Sequence, residues 1–381
     1  MIIGVPKEIV LREKRVSVIP EAISKFAGAQ VIVESGAGEG AGFTDTMYSS
    51  KGASIVLDAE TLYSRSDIVL KVQPPTKEEV GLLKEGSTLI SFLYPLGNLE
   101  TVSQLVGRKI TSFAMDLMPR ISRAQSMDAL SSQATISGYK AVLLAADSLP
   151  KLFPMMMTAA GTISPAHVFV IGAGVAGLQA IAVAHRLGAV VEAYDVRPVV
   201  KEQIESLGAK FVQLPVSAQD AQTSGGYAKA QSEDFYRKQQ DLLSEHTKSA
   251  DVVITTALVP GQRAPTLVSE EAVKGMRAAS VIVDLAAEQG GNCALTEPGK
   301  TVIKYGITIH GLLNLPSLMA PQASQLYSRN ITTFLFAMLK EGKLNVDLNY
   351  ELIRGPLVTQ NGLVMHDQTK KALEALAAVK S

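Results

Sequence analysis

The chain has 381 residues, too many for one ordinary core, so two domains are expected. Its 36 Lys plus Arg balance 36 Asp plus Glu, and a formal net charge of zero leaves no global basic field to attract nucleic acid or an anionic membrane. The single cysteine, Cys293, excludes an internal disulfide and fits a reducing compartment.

The start, Met1 to Glu8, has neither a signal h-region nor an Arg-rich transit pattern. Short β-rich runs then alternate with helical patterns, which points to a parallel sheet. The runs are Ile2–Val5, Gln30–Glu34, Ile68–Val72, Thr88–Leu93 and Lys109–Met115. Each is apolar throughout rather than alternating, as expected of strands covered on both faces. The glycines Gly36, Gly38, Gly40 and Gly42 have the wrong spacing for a nucleotide turn, and no apolar helix follows; they read as a flexible loop. A long helix is expected over Asp128 to Leu152, where Leu130, Ile136, Tyr139, Val142, Leu143 and Ala146 recur at helical spacing. It would connect two α/β units.

A second βα series follows, with strands expected at Val168–Ile171, Val190–Asp195, Phe211–Leu214, Val252–Thr256, Val281–Asp284 and Ile307–His310. The apolar run Val168 to Ala184 carries three glycines and a glutamine, and a nucleotide turn explains it better than a membrane span. The polar stretch Ser217 to Lys248, with Gly225-Gly226-Tyr227, is either a mobile lid or an ordinary excursion between strands. Ser324–Leu339 is again helical and is expected to cross back onto the first domain. Lys370–Ser381 reads as a short surface helix. The expected fold is therefore α/β: two doubly wound domains with mostly parallel sheets, joined by long helices. The first is 1–127 completed by 322–381, and the second is 128–321.

The sharpest motif is His167-Val-Phe-Val-Ile171-Gly172-Ala-Gly174-Val175-Ala176-Gly177. A β run precedes it and an apolar-faced helix follows. Gly172 permits the tight turn, Gly174 lets the backbone approach a pyrophosphate, and Gly177 lets helix and strand pack closely. The helix N-terminus offers unpaired N–H groups to the phosphates. Asp195 follows at about 20 residues, where a carboxylate accepts ribose hydroxyls and repels a 2′-phosphate. Val196 and Arg197 come next, and a nearby Arg can instead hold a 2′-phosphate. One such fingerprint implies one nicotinamide nucleotide, NAD(H), per chain.

Most dehydrogenases with one fingerprint need a general base. The five histidines are His167, His185, His246, His310 and His366, and none lies in the first domain. His167 and His185 read as structural, and His310, at a strand end, as the one functional candidate. Hydride transfer between two nicotinamides needs no proton relay, only two rings held face to face. The run Pro119 to Gln133 concentrates Arg, Gln, Asp and Ser before an apolar helix. By composition it is a capped helix start, with Asp128 and Ser126 as capping candidates.

That run, Met118-Pro119-Arg120-Ile-Ser-Arg-Ala-Gln125-Ser-Met-Asp128-Ala-Leu-Ser131-Ser-Gln133, closely resembles the signature of the NAD(H)-binding domain of proton-translocating NAD(P) transhydrogenases. So do Ile171–Leu178, Thr255-Thr256-Ala257-Leu258-Val-Pro-Gly261, Val283–Cys293, Gly225–Lys229 and Ser324–Tyr327. The resemblance runs over nearly the whole chain. It implies a Re/Si-specific transhydrogenase component, active only with its partners. Arg120, Gln125, Asp128 and Ser131 would contact the nicotinamide end, with Gln125 bridging towards NADP(H) on another subunit. Asp195 would hold the adenosine ribose, Tyr227 would tip a mobile loop, and Thr256, Ala257 and Leu258 would line the cofactor site. It further implies a homodimer, an NADP(H)-binding partner subunit and a separate membrane subunit carrying the proton channel. The chain ends at Ser381 without a membrane span, so it is expected to be a split subunit or an excised domain, held at the cytoplasmic face of an inner membrane through its partners. No metal site is expected.

Alanine dehydrogenase is the nearest rival, since Arg15, Lys71 and Tyr94 fall on its substrate-pocket pattern. Its catalytic histidine, two residues after the tyrosine, is replaced by Leu96, and the aspartate before Gln-Gly-Gly by Glu288. Arg15 and Lys71 are then ion-pair partners or relics of a pocket. A non-catalytic NAD(H) sensor is the other alternative.

Overall fold

The computed structural model describes residues 1–26, 28–214, 232–258, 263–340 and 342–380. They form two compact units, Met1–Gln133 with Ser317–Ser381, and Ala134–Pro316.

In the first unit the strands are β1 (Ile2–Val5), β2 (Gln30–Glu34), β3 (Ser54–Val56), β4 (Ile68–Leu70), β5 (Thr88–Ser91) and β6 (Thr111–Ala114). All six run parallel, in the order β6-β5-β4-β1-β2-β3. Both faces are covered, so β4 and β5 are buried at every position. The Gly36–Gly42 segment is a packed 3-10 turn rather than a flexible loop. A Cβ on Gly38 would stand 2.6 Å from the Phe43 carbonyl oxygen, and one on Gly40 2.8 Å from that of Lys14.

A long helix, Ala129–Ser148, starts in the first unit and continues into the second. It stops four residues short of the expected end at Leu152. An exposed hairpin without a sequence signal comes next, β7 (Met156–Thr158) with β8 (Gly161–Ile163). The second sheet holds β9 (His167–Ile171), β10 (Val190–Tyr194), β11 (Lys210–Phe211), β12 (Val252–Thr255), β13 (Val281–Asp284), β14 (Thr301–Lys304) and β15 (Ile307–His310). Its order is β11-β10-β9-β12-β13-β15-β14. The six parallel strands are those expected, although β11 covers only the start of Phe211–Leu214. The antiparallel edge strand β14 is not among the expected strands, because its residues are largely exposed and carry little apolar signal.

The chain returns to the first unit at Ser317. The helix Ala320–Met338 buries Tyr327, Ile331, Phe334, Leu335 and Met338 in that unit's core. Phe334 meets Phe113 edge-on at 5.4 Å, and Tyr327 meets Phe92 at 5.1 Å. Each such side chain contributes about 1.5–3 kcal/mol by burial. After a two-residue ladder, β16 (Leu339–Lys340) with β17 (Lys343–Leu344), two further strands complete the first sheet. They are β18 (Leu357–Gln360) and β19 (Leu363–Val364), and β18 pairs antiparallel with β6. The Ser112 and Thr359 hydroxyls meet at 2.6 Å across that join. The final helix, Asp367–Lys380, begins before the expected Lys370.

Candidate functional site

The second sheet reverses its strand order at β9, where β10 lies on one side and β12 on the other. Ligands of doubly wound sheets bind at the carboxyl ends of strands at such a point. Here β9 runs into Gly172, whose φ of +101° only glycine adopts without strain. A Cβ on Gly177 would stand 1.9 Å from the Gly172 carbonyl oxygen, so helix and turn are in direct contact. Gly174 differs: a Cβ there would meet nothing within 4 Å. Its lack of a side chain leaves open space at the N-terminus of the helix Val175–Arg186, as a cradle for a phosphate requires. Val175 is exposed and Ala176 half-buried at that terminus. The Ala176 carbonyl abuts Gly138 of the long helix, where a Cβ would come within 2.1 Å. That packing role of Gly138 has no recognisable signal in the sequence.

Asp195, just past the end of β10, is 8% exposed and points back at the turn. Its Oδ2 accepts the Ala173 N–H at 2.7 Å and Arg197 Nη2 at 2.8 Å. Its Oδ1 accepts the Arg197 N–H and Nε, both at 2.9 Å. Val196, between them, packs on the apolar cluster around Phe169 and Ile171.

At the end of β12, Thr256 Oγ1 donates to the Gly172 carbonyl at 3.0 Å. Ala257 is clamped by the buried Asn292, which accepts its N–H at 3.0 Å and donates to its carbonyl at 2.9 Å and to that of Pro265 at 2.8 Å. Asn292 is thus a positioning residue inside the Val283–Cys293 run that the sequence does not single out. Asp284, in the same run, collects the Thr255 and Thr296 hydroxyls and the Ala286 and Cys293 N–H groups. Burial pushes the Cys293 thiol up to about 11, so it is no nucleophile. Leu258 ends this described segment and is exposed. Residues 259–262 and Tyr227, with the lid reading attached to it, lie outside the described residues. Of the Ser217–Lys248 stretch, the described segment is a helix, Glu233–Ser249, capped by Ser232.

In the first unit, Asp128 caps the long helix. Its carboxylate accepts the Ser131 N–H at 2.9 Å and the Ser131 hydroxyl at 2.5 Å. Ser126 does not share that role: its carbonyl accepts Asn330 Nδ2 at 2.9 Å. Asn330 also accepts the Ser132 hydroxyl, and Gln133 donates to the Ala323 carbonyl. The run is therefore fastened to the helix Ala320–Met338, while Arg120 and Gln125 are exposed on the surface before it. Gln125 sits on a 3-10 helix, Ser122–Met127.

Arg15 and Lys71 are ion-pair partners. Arg15 forks onto Glu13, with Nη2 at 2.6 Å and Nε at 2.8 Å, and Nη1 reaches Gln133 at 2.8 Å. Burial would raise the Glu13 carboxyl, but hydrogen bonds and charge from Arg15 outweigh it and hold it at about 2. Lys71 lies between Glu79 at 2.8 Å and Glu8 at 3.1 Å. Burial raises the Glu8 carboxyl despite Lys71. Leu96, where the rival family has its base, is 40% exposed. Glu288 accepts the Asn314 N–H.

The histidines are tied into the scaffold. His310 is held between the Ser148 hydroxyl at 2.8 Å and the Thr301 hydroxyl at 2.9 Å, which gives it a structural role. His246 meets Glu192, His366 meets Thr369, and the ring of His185 packs against Gly208. Among the described residues no group of His, Cys, Asp or Glu is arranged to hold a metal, and no helix is long and apolar enough to cross a membrane.

Sheet order, glycine turn and terminal acid together define a protein of the doubly wound, dinucleotide-binding class. Residues 4–137 match the family model described as alanine dehydrogenase/PNT, N-terminal domain, and residues 141–367 that of the C-terminal domain; the chain belongs to this family. It is 49% identical over 376 residues to the first of the polypeptides that make up NAD(P) transhydrogenase subunit alpha in Rhodospirillum rubrum, covering 96% of this chain and 98% of that protein. The crystal structure of transhydrogenase from Sinorhizobium meliloti is similar with a TM-score of 0.84 and 42% identity, covering 97% of this chain and 100% of that one. Alanine dehydrogenase of Methanococcus maripaludis is more distant, at 30% identity with 98% and 96% coverage. The chain therefore groups with the transhydrogenase alpha subunits.

Proposed function

We propose that this chain is the NAD(H)-binding component of a proton-translocating NAD(P) transhydrogenase, exchanging a hydride with NADP(H) held on a partner subunit. The observation that carries the reading is the open approach at Gly174 beside the Asp195 carboxylate, at the switch point of the second sheet. The glycine turn would seat the pyrophosphate on the helix N-terminus. Asp195 would take the adenosine ribose, and the Thr256–Leu258 segment, braced by Asn292, would line the crevice. Arg120, Gln125, Asp128 and Ser131 would serve the nicotinamide end, with Asp128 and Ser131 already locked to each other by the helix cap.

When bound, the nicotinamide supplies or accepts the hydride; the electron pair leaves C4 of one ring and arrives at C4 of the other. No proton changes hands, so the protein's task is orientation and exclusion of water. That agrees with histidines committed to structural bonds. It also agrees with Arg15 and Lys71 being paired to carboxylates of this chain. Both observations disfavour amine oxidation.

A homodimer is included in the proposal, supported by the apolar hairpin of β7 and β8. Met155, Met157 and Ile163 are 61%, 82% and 39% exposed there, a surface that association would cover. Proton movement would belong to a separate membrane subunit, which holds this chain at the cytoplasmic face.

The test is hydride transfer from NADH to an NADP⁺ analogue, using this chain mixed with a purified NADP(H)-binding transhydrogenase domain, with L-alanine oxidation run alongside. Transfer only in the mixture, without alanine activity, is expected. Alanine oxidation by the chain alone would overturn the reading in favour of an amino-acid dehydrogenase. NADH binding with silence in both assays would leave a sensor.

A further inference from the structure

The carboxylate proposed to select NAD(H) is engaged by a neighbouring guanidinium. Arg197 folds back so that its Nε and Nη2 grip the two oxygens of Asp195 at 2.9 and 2.8 Å, while its backbone N–H adds a third bond at 2.9 Å. Nη2 also lies 3.4 Å from the Ala173 carbonyl, so the guanidinium sits against the glycine turn. A planar fork that fits a carboxylate fits a phosphate equally well. We infer that Arg197 is a latent acceptor for a 2′-phosphate, kept out of use by Asp195, so that this one carboxylate decides which dinucleotide the ribose subsite takes. This rests on the proposed NAD(H) reading of the site and adds a second specificity-determining residue to it.

The charges explain the hold. Asp195 and Arg197 together sum to zero. A 2′-phosphate carries nearly two negative charges at neutral pH. To receive it, Arg197 would have to release Asp195. That would leave a carboxylate that is 8% exposed beside the incoming anion, with its strongest partner gone. An unpaired buried charge is costly, so the exchange does not occur. Ribose hydroxyls are neutral donors, and they can share the Asp195 oxygens without that conflict. Remove the carboxylate and the sign reverses. The subsite then carries one positive charge and a fork with no carboxylate to fill it. The backbone frame changes little, because the Ala173 N–H needs only a neutral acceptor at position 195.

The experiment measures binding of NADH, NADPH and 2′-AMP to the full chain and to Asp195→Ser, with Asp195→Asn as the variant closest in shape should the serine form fold poorly. Either substitution should weaken NADH at least tenfold, tighten 2′-AMP at least tenfold, and so shift the NADPH-to-NADH preference by 100-fold or more. Adding Arg197→Ala should abolish the gain in 2′-AMP. If NADH weakens but 2′-AMP does not tighten, or tightens without needing Arg197, the latent-acceptor inference is overturned while the NAD(H) site stands. If NADH affinity does not change in either variant, the assignment of Asp195 to the ribose falls first and takes the inference with it.

Discussion

Replacing Gly174 by Ala separates what the protein needs from what the ligand needs. At φ −77° and ψ −169° its backbone lies in the extended region that any residue adopts. A Cβ built there meets no atom within 4 Å. The methyl group brings no clash to the protein alone. The less flexible unfolded chain favours Ala and the N-cap preference favours Gly, so the net change stays within about 1 kcal/mol. The corresponding shift in melting temperature is at most about 2–4 °C. A pyrophosphate drawn to the helix N-terminus, by contrast, meets the methyl first. Each charge-assisted hydrogen bond it loses costs about 1.5–3 kcal/mol, or roughly 10- to 100-fold in affinity. Thermal unfolding and NADH fluorescence titration on the same variant read the two effects apart. Gly177→Ala gives the contrast. Its methyl would stand 1.9 Å from the Gly172 carbonyl oxygen, so the helix must retreat from the strand at a cost of about 1–3 kcal/mol. Unchanged NADH affinity in Gly174→Ala would refute the placement of the pyrophosphate. A collapse of its melting temperature would refute the reading of Gly174 as an open position.

Gln125→Asn should slow hydride transfer to a partner-bound NADP⁺ analogue far more than it weakens NADH binding; a proportionate loss of both would make Gln125 a binding residue only. Asn292→Ala removes the clamp on Ala257 and Pro265 and should cost about 2–4 kcal/mol in chemical denaturation, with weaker NADH binding; a stability change under about 0.5 kcal/mol would show that other contacts hold the segment. Glu13 gives a pH test. Its folded carboxyl at about 2 lies below its ordinary 4.5, so its pairing with Arg15 stabilises fully above pH 4.5, and that contribution is lost as pH falls through about 2. Glu13→Gln should lower stability at pH 7 by about 3–5 kcal/mol and narrow its gap from the parent as the pH drops through that window. A gap that stays constant with pH would show that Glu13 acts by packing alone.

Features written in consecutive residues were legible from the sequence alone. The glycine turn, its helix and Asp195 are set by backbone geometry and strand length within one βαβ unit, so spacing fixes them. The parallel strands of both units were legible because burial on both faces makes each an unbroken apolar run. The capping role of Asp128 was legible because a cap is local. The tertiary structure decided what depends on partners far along the chain. Strands β18 and β19 complete a sheet begun more than two hundred residues earlier, and β14 joins an edge with almost no apolar signature. Gly138 is needed only because the Ala176 carbonyl lies against it, and Asn292 only because Ala257 passes it. The engagement of Arg15, Lys71 and His310 depends on which groups folding brings within about 3 Å, and sequence spacing carries no record of that distance. Arg197 stands between the two cases: its place beside Asp195 is local, but only the folded turn shows its fork closed on the carboxylate.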